Sequence, residues 1–363
     1  MSHNSRVFTV PGGVHNATPS RIVFGPGSVR RIADEIDLLR AERVLLVATP
    51  GRLGLAEEIG RAIGSRVCGI LPEAVSQVPI EVAQRGRAVA RSLGADCLVS
   101  VGGGAATGLS KAIALEHPLP IIAIPTTYSG SEMTGFCGIT SNGVKRMNAS
   151  LNMLATTVIY DAELTLALPT RTTAASAMNA LAHCIDALCQ PTLSPLIRHA
   201  AVEGARITMQ ALPTVMTAPN DLEARSELLY GAFLAGGALS GGFGLQHAIA
   251  HTLGGSYSIE HGTAHAVVLP YVVRYLMKTA PEEMLLISKA IDSDDLFHSL
   301  MDLLEQARLP QTLADIAVQA ADVEKIVEIT VGEAPDRSGP VQISSEVVRS
   351  ILQEALNGCE AVA

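Results

Sequence analysis

Residues 101–111 are VGGGAATGLSK, and this glycine-rich stretch is the most informative part of the sequence. Residues 96–101 before it are mostly small and apolar and predict a short buried strand, whereas the apolar spacing of residues 109–115 predicts a helix. A strand, a glycine turn and a helix in this order bring backbone N–H groups and a helix N-terminus up to a phosphate group. Neither the G-x-G-x-x-G pattern nor a Walker A loop is present, so a purely structural turn stays open as the alternative.

Strands and helices are predicted to alternate on both sides of this turn. The strands are expected at residues 21–27, 44–49, 67–71, 97–101 and 121–127, with helices at 28–39, 55–63 and 80–93 between them. This alternation is typical of a parallel sheet covered on both faces, and such sheets bind ligands at the carboxyl ends of their strands. Thr49, the glycines at 102–104 and residues 126–131 lie at such ends, and Ser28 is a predicted helix N-cap.

The second half of the chain has a different pattern, which begins after TVIYD at residues 157–161. From Pro169 onwards almost every segment has helical spacing, and its prolines are interpreted as caps or helix breakers; they are Pro195, Pro213, Pro219, Pro270 and Pro281. We therefore predict two domains: an α/β nucleotide-binding domain over residues 1–161 and an all-helical domain over residues 162–363 that carries the candidate catalytic histidines. The active site is expected in the cleft between them.

Composition and charge exclude several classes of function. The 363 residues include 26 basic and 35 acidic side chains, a net charge of −9, without a lysine or arginine cluster, which argues against nucleic acid and anionic membranes as partners. The six cysteines have no C-x-x-C spacing and are predicted to be reduced thiols. The first ten residues do not resemble a signal peptide, and no apolar run reaches the roughly 20 residues that span a bilayer, so the expected location is cytoplasmic.

Six polar residues at helical spacing form the candidate catalytic group: Asn179, His183, His247, His251, His261 and His265. Members four residues apart share one face of a helix, and so many histidines exceed what hydrogen bonding within a core usually requires. Two chemical interpretations stay open at this point. Three imidazoles can bind zinc or iron, or the group can relay protons and bind an anion. Asn179 stands where a carboxylate would complete a metal site, and an amide contributes no charge, which weakens the metal interpretation.

Several motifs together connect the chain to a known superfamily. They are the glycine-rich turn, PTTYSGSEMT at residues 125–134, VIYD at 158–161, NALAH at 179–183, GLQH at 244–247 and HTLGG at 251–255. Over nearly its whole length the sequence resembles the iron-containing alcohol dehydrogenases, which share the dehydroquinate synthase-like architecture, and within them the maleylacetate reductase subgroup. The resemblance implies an α/β N-terminal dinucleotide-binding (Rossmann-like) domain, an all-α C-terminal domain, and a homodimer.

The resemblance also implies roles for individual residues. The ligands of metal-dependent relatives correspond to Asn179, His183, His247 and His261, and the reductase subgroup, which also has asparagine at the first position, works without a bound metal. The nicotinamide-side histidine corresponds to His251. The cofactor-binding positions are Gly102, Gly103, Gly104, Thr107, Lys111, Thr126, Thr127 and Ser131. Thr49 stands at the end of the second strand, where a carboxylate that binds the ribose could lie. Without that negative charge a 2′-phosphate is not repelled, so NADH and NADPH are both expected. The alternative is that Thr49 only ends the strand and has no part in cofactor binding.

The implied reaction is the reduction of maleylacetate to 3-oxoadipate by NADH or NADPH, a late step in the breakdown of aromatic rings. Hydride adds to an activated C=C bond, and the enolate that forms needs hydrogen-bond donors and a proton. The residues expected to act in catalysis are His183, His247, His251 and Tyr128, with Asn179 and His261 on the substrate side. A dicarboxylate needs cationic partners, for which Lys145 and Arg146 are the candidates, unless this pair lies on the solvated surface.

Two alternative functions stay open. A metal-dependent alcohol dehydrogenase would use His183, His247 and His261 as ligands. A divergent member of the superfamily would use the cleft for another enone or ketone, or for a reaction without redox chemistry. The second alternative is motivated by departures from the reductase pattern, which lie at residues 147–150, 155–156, 262–263 and 335–340. The substrate-facing half therefore matches the subgroup less well than the nucleotide-facing half.

Overall fold

The computed structural model describes residue 19 and residues 21–141, 144–190, 193–257, 259–333 and 341–358. The strands in these residues are β1 (Arg21–Phe24), β2 (Val44–Ala48), β3 (Val67–Leu71), β4 (Cys97–Gly102), β5 (Ile121–Pro125), β6 (Phe136–Ser141), β7 (Val144–Ala149) and β8 (Thr157–Tyr160). Six of them form one parallel sheet in the order β1-β8-β5-β4-β2-β3. The parallel sheet predicted from the sequence is therefore confirmed.

Helices cover both faces of this sheet. They are α1 (Ile32–Leu39), α2 (Leu53–Ile63), α3 (Ile80–Ser92) and α4 (Gly104–Glu116). Successive side chains of a strand point to opposite faces, and in β2 Leu46 joins the hydrophobic cluster of α1 and α2, whereas Leu45 and Val47 join the cluster of α3 and α4. Burial on both faces explains why β2, β4 and β5 are continuously apolar rather than alternating.

One prediction for the first half of the chain was wrong, and two features were not predicted. Ser28 is not an N-cap: it is buried in a 3₁₀ turn, and its hydroxyl donates to the carbonyl of Tyr160. The sheet has a sixth strand, because β8 inserts between β1 and β5. An antiparallel hairpin, β6–β7, occupies residues for which no strand was predicted. Its strands contain a glycine and several polar residues, so they lack the apolar pattern that predicts a strand.

The second half of the described chain is helical, as predicted. Its helices are α5 (Thr170–Leu188), α6 (Pro195–Thr217), α7 (Leu222–Leu239), α8 (Leu245–Ser256), α9 (His261–Thr279), α10 (Pro281–Ile291), α11 (Leu296–Gln306), α12 (Val323–Glu333) and α13 (Ser345–Asn357). Pro195 and Pro281 begin helices, where the missing N–H costs nothing. Pro213 and Pro270 lie inside α6 and α9, so they are not breakers, since packing of both helices in the core outweighs one lost hydrogen bond.

The cysteines that the structure describes form no disulfide bond. The five described cysteines, Cys68, Cys97, Cys137, Cys184 and Cys189, are free thiols, and all but Cys68 are buried. Cys359 and residues 335–340 lie outside the described residues. In the described ranges, no helix combines the length and the apolar character that crossing a bilayer requires.

Candidate active site

A cavity of about 270 Å³ lies between the start of α4, the β6–β7 hairpin and helices α5, α8 and α9. Many of the residues predicted from the sequence line it, namely Gly104, Thr127, Ser131, Lys145, Asn179, His183, His247, His251 and His261. Nine other predicted residues are not among those that line it: Thr49, Gly102, Gly103, Thr107, Lys111, Thr126, Tyr128, Arg146 and His265. The cavity therefore joins the nucleotide-side turn to the histidine helices, at the carboxyl end of the parallel sheet.

The glycine turn presents the N-terminus of α4 to this cavity. Gly103 is the N-cap residue and has no side chain that would satisfy the first N–H groups of the helix. Gly102 has a φ of 144°, which favours glycine, and a Cβ at Gly103 would lie 2.7 Å from the side chain of Thr127. An exposed helix N-terminus with free N–H groups is suited to a phosphate group. Thr107 and Thr126 are buried behind this turn, where the N–H of Thr126 donates to the carbonyl of Gly102 at 3.1 Å.

Lys111 holds the loop beside the turn instead of facing the cavity. Its buried ammonium group donates to the carbonyl of Ser131, to Oγ1 of Thr134 at 3.1 Å and to the carbonyl of Phe136 at 2.9 Å. Burial lowers the pKa of Lys111 to about 8. The structure thus gives Lys111 a positioning contact to the loop that carries Ser131, which is different from the direct cofactor contact expected from the sequence.

Tyr128 is also held away from the cavity. Its fully buried hydroxyl donates to Oγ1 of Thr165 at 3.0 Å and accepts from Arg225 at 3.2 Å. Arg225 is itself fully buried and donates to the carbonyls of Thr165, Leu168 and Pro219 at 2.6, 3.3 and 2.5 Å. This network fastens the loop after β5 to α7 and explains the burial of Tyr128 without a catalytic role.

The two basic residues of the hairpin that were predicted to bind a substrate carboxylate point in opposite directions. Lys145 and Arg146 are neighbours in β7, so their side chains point to opposite faces. Lys145 lines the cavity, and a Cβ at Gly138 of the paired strand would collide with its aliphatic stem, so this glycine leaves room for the lysine. Arg146 is exposed and does not line the cavity. Of these two cations, Lys145 is therefore the one that lines the cavity.

The five histidines expected from the sequence do come together. Ring centroids lie 4.9 Å apart for His183 and His247, whose rings are stacked, and 4.6 Å apart for His247 and His265. His261 lies 4.5 Å from His265 and 5.7 Å from His251. Helices α5, α8 and α9 contribute one, two and two of these rings. The group lines one end of the cavity, with His265 fully buried behind it.

Most of these imidazoles are neutral at neutral pH. Burial, and then repulsion from the other histidines, holds the pKa values of His183 and His265 well below the ordinary range. Burial also lowers the pKa of His251, and that of His261 to about 3, with the nearby charge of Lys145 as the second cause for both. Neutral imidazoles can donate or accept one hydrogen bond each in the cavity without repelling the cation on Lys145.

Three polar residues of the site were missed in the sequence. Asp186 contacts His247, with 2.7 Å between a carboxylate oxygen and Nδ1, and Gln246 contacts His265, with 2.8 Å between Oε1 and Nδ1. Glu260 lines the cavity beside His261 and accepts from the hydroxyl of Thr263 at 2.6 Å. Asp186 follows His183 by three residues on one helix face, which is the signal that would have identified it.

A departure from the subgroup at residue 262 has a steric reason. A Cβ at Gly262 would lie 3.0 Å from backbone and side-chain atoms of Ala175, because α9 begins against α5 at this point. A side chain at this position would require Ala175 to shift by a few tenths of an ångström, which favours glycine here. Glu260 provides a carboxylate one residue before His261.

The donor set does not fit the metal centre of the metal-dependent relatives. Asn179 supplies a neutral amide, and its buried Oδ1 has no hydrogen-bond partner among the described residues. Among those residues, the trio of possible metal ligands whose donor atoms lie within 4.8 Å of one another is His251, His261 and His265. That trio shares only His261 with the set that corresponds to the family's ligands. The ligand set of the metal-dependent relatives is therefore not reproduced among the described residues.

Comparison with known proteins agrees with this arrangement. Residues 19–162 match the family described as iron-containing alcohol dehydrogenase, and residues 173–356 match the Fe-containing alcohol dehydrogenase family, C-terminal part. Maleylacetate reductase from Burkholderia cepacia is 41% identical over 339 residues, which cover 93% of this chain and 96% of that protein.

Two solved structures are similar over almost the whole fold. Maleylacetate reductase from Rhizobium sp. strain MTP-10005 has a TM-score of 0.89 and 38% identity, covering 95% of this chain and 98% of that one. The iron-containing alcohol dehydrogenase from Corynebacterium glutamicum has a TM-score of 0.91 and 38% identity, covering 97% of this chain and 99% of that one. The chain therefore belongs to the iron-containing alcohol dehydrogenase family and is an oxidoreductase of the maleylacetate reductase-like kind.

Proposed function

We propose that this protein reduces maleylacetate, or a closely related unsaturated keto dicarboxylate, with NADH or NADPH and without a metal ion. The observation that carries the proposal is the joint lining of one cavity by the open N-terminus of α4, the cation of Lys145 and a group of histidines. Each part supplies one requirement of the reaction: a phosphate site for the cofactor, a partner for a carboxylate, and hydrogen-bonding groups for an enolate.

The cofactor is proposed to lie along the glycine turn. Its pyrophosphate would accept hydrogen bonds at the start of α4, while Thr127 and Ser131 line the path towards His251. At the end of β2, Thr49 begins a 3₁₀ turn but its side chain makes no capping hydrogen bond. The absence of a carboxylate at this residue supports the use of both NADH and NADPH, because nothing there repels a 2′-phosphate.

The substrate is proposed to lie between Lys145 and the histidines. One carboxylate would pair with Lys145, which leaves the keto group and the C=C bond near His183, His247 and His251. A nicotinamide bound along the glycine turn would supply a hydride to the alkene carbon that bears the carboxylate, and the π electrons of the conjugated C=C and C=O bonds would shift to give an enolate with its negative charge on the keto oxygen. Donors aimed at that oxygen stabilise the enolate, and a proton added at the other alkene carbon gives 3-oxoadipate and the oxidised cofactor.

Isotope transfer distinguishes this reaction from carbonyl reduction. Cofactor deuterated at the transferred position of C4 would be incubated with freshly prepared maleylacetate, and the product analysed by NMR and mass spectrometry. The proposal predicts one deuterium on a methylene carbon and an intact keto group. Deuterium on a carbinol carbon, with the C=C bond retained, would show alcohol dehydrogenase chemistry instead. If no deuterium enters the product although the cofactor binds, the substrate belongs to another class.

A further inference from the structure

Asp186 is a buried carboxylate whose contacts all converge on the start of α8. It lies on α5 and is only 1% exposed. Its Oδ2 accepts from the N–H groups of Gly244 and His247 at 2.9 and 3.0 Å, and its Oδ1 accepts from the N–H of Gln246 at 3.2 Å. Three backbone N–H groups at a helix N-terminus stabilise the ionised carboxylate in this position. Asp186 is thus fixed relative to α8 before any ligand binds.

The same carboxylate determines which nitrogen of His247 carries the proton. Oδ2 of Asp186 lies 2.7 Å from Nδ1 of His247, and an ionised carboxylate only accepts hydrogen bonds. Nδ1 must therefore carry a hydrogen, and in the neutral ring this leaves the lone pair on Nε2. That Nε2 is buried and has no hydrogen-bond partner among the described residues, although His247 lines the cavity.

The orientation of the His247 ring is fixed as well as its tautomer. The ring of His183 stacks on it with an interplanar angle of 22°, and His183 lies one helical turn before Asp186 on α5. The ring is therefore held at its edge by Asp186 and on its face by His183. Rotation of the ring would break the contact to Asp186 and the stacking together.

His265 shows the same arrangement with a neutral partner. Its Nδ1 lies 2.8 Å from Oε1 of Gln246, and the amide is oriented because Nε2 of Gln246 donates to the carbonyl of His265 at 3.0 Å. Nε2 of His265 is also buried and has no hydrogen-bond partner in the part of the chain that the structure describes. Gln246 and His247 are adjacent residues on α8, so the start of this helix takes part in fixing two rings. Of the two groups that contact an Nδ1 atom here, Asp186 carries a negative charge and Gln246 does not.

We propose that Asp186 is a positioning residue that holds His247 in the Nδ1–H tautomer, so that the Nε2 lone pair faces the reacting part of the substrate. The expected effect on catalysis rests on the proposed function. The tautomer decides whether Nε2 of His247 presents a lone pair or a hydrogen to the substrate. In the other tautomer, Nε2 would present a hydrogen and the lone pair of Nδ1 would face the carboxylate of Asp186, which repels it. Substitution of Asp186 should therefore affect turnover more than cofactor binding.

The tautomer can be measured directly in the full-length protein. Long-range ¹H–¹⁵N correlation spectra of the histidine rings report which nitrogen carries the hydrogen, and His247→Gln identifies the resonances of His247. We expect a protonated Nδ1 and a bare Nε2 in the wild type. In Asp186→Asn this pattern should be lost, and kcat with maleylacetate should fall about 100-fold while KM for NADH changes less than about twofold.

Two further variants separate positioning from folding. Gly244→Ala keeps the charge but displaces the carboxylate, because a Cβ at Gly244 would lie 2.5 Å from Oδ1 of Asp186, and we expect a smaller loss of kcat in the same direction. Asp221→Asn is the matched control, since Asp221 caps α7 by accepting from the N–H of Ala224 at 3.0 Å, and it should leave kcat and the His247 tautomer unchanged.

The outcomes distinguish this inference from the proposed function. A hydrogen on Nε2 of His247 in the wild type, or wild-type kcat in folded Asp186→Asn, would overturn the positioning role. If maleylacetate is not reduced at all, the proposed function fails, while the spectra still show whether Asp186 fixes the tautomer.

Discussion

The guanidinium of Arg225 lies 3.2 Å from the hydroxyl of Tyr128, and both side chains are completely buried. The sequence places Tyr128 in a motif beside the active site, but this contact gives it a structural role. It joins the loop that follows β5 to the first turn of α7, and Thr165 completes the network. These hydrogen-bonded residues therefore support the wall of the cavity without lining it.

Removal of the Tyr128 hydroxyl should cost stability rather than activity. Tyr128→Phe leaves Thr165 and Arg225 each with one partner fewer, for an expected loss of about 1–2 kcal/mol in the free energy of unfolding. Urea unfolding measures this change, and kcat should stay within about twofold of wild type. Tyr230→Phe is the control, because Tyr230 is 42% exposed and should change neither quantity. A large loss of kcat at unchanged stability would instead make Tyr128 a catalytic residue.

Lys145 and Arg146 should differ sharply in their effect on substrate binding. Lys145→Ala removes the cation that lines the cavity, and a charged hydrogen bond of about 1.5–3 kcal/mol corresponds to a rise of roughly 10- to 100-fold in KM for maleylacetate. Arg146→Ala removes an exposed charge and should change KM less than about twofold. Steady-state kinetics at saturating NADH make the comparison. Equal effects of the two substitutions would contradict the proposed place of the substrate carboxylate.

The histidine group should make the protein sensitive to acid. Burial lowers the pKa of His261 to about 3, so below pH 6.5 the unfolded chain binds a proton that the folded chain does not. This contribution to stability is complete above pH 6.5 and is lost as the pH falls towards 3. The expected slope from one such histidine is about 1.4 kcal/mol per pH unit.

Urea unfolding between pH 7.5 and 5 tests this dependence. In His261→Gln the slope of the unfolding free energy against pH should decrease by about this amount per pH unit below 6.5. His199→Gln is the comparison, because His199 is an exposed histidine on α6 and shows what the same substitution does at the surface. An identical slope in wild type and His261→Gln would mean that the folded protein protonates His261 as readily as the unfolded chain does.

The parallel sheet and the histidine helices were predictable because their signals are local. Continuous apolar strands such as β2 and the four-residue spacing of His247 and His251 are visible without knowledge of the fold. The β6–β7 hairpin was not predictable, because a glycine and several polar residues interrupt its apolar positions and its stability comes from pairing and from packing on α4.

Long-range contacts explain what was missed or misplaced in the site. Asp186 has its role only because α8 begins beside α5, 58 residues later in the chain. Tyr128 does not line the cavity, because its hydroxyl is hydrogen-bonded to Arg225, which is 97 residues away in sequence. Residue types and motif spacing indicate which side chains belong to a site, but they do not indicate which way each side chain faces.

The most direct measurement of the central claim is the rate of NADH oxidation with maleylacetate before and after metal removal. The protein would be treated with a strong chelator, its residual metal measured by mass spectrometry, and the rate recorded with and without added Zn²⁺ or Fe²⁺. The neutral donor set, with Asn179 in place of a carboxylate, predicts that metal-depleted protein keeps its rate within about twofold. Loss of the rate on depletion, with recovery after addition of either ion, would contradict the account and establish a metal-dependent enzyme.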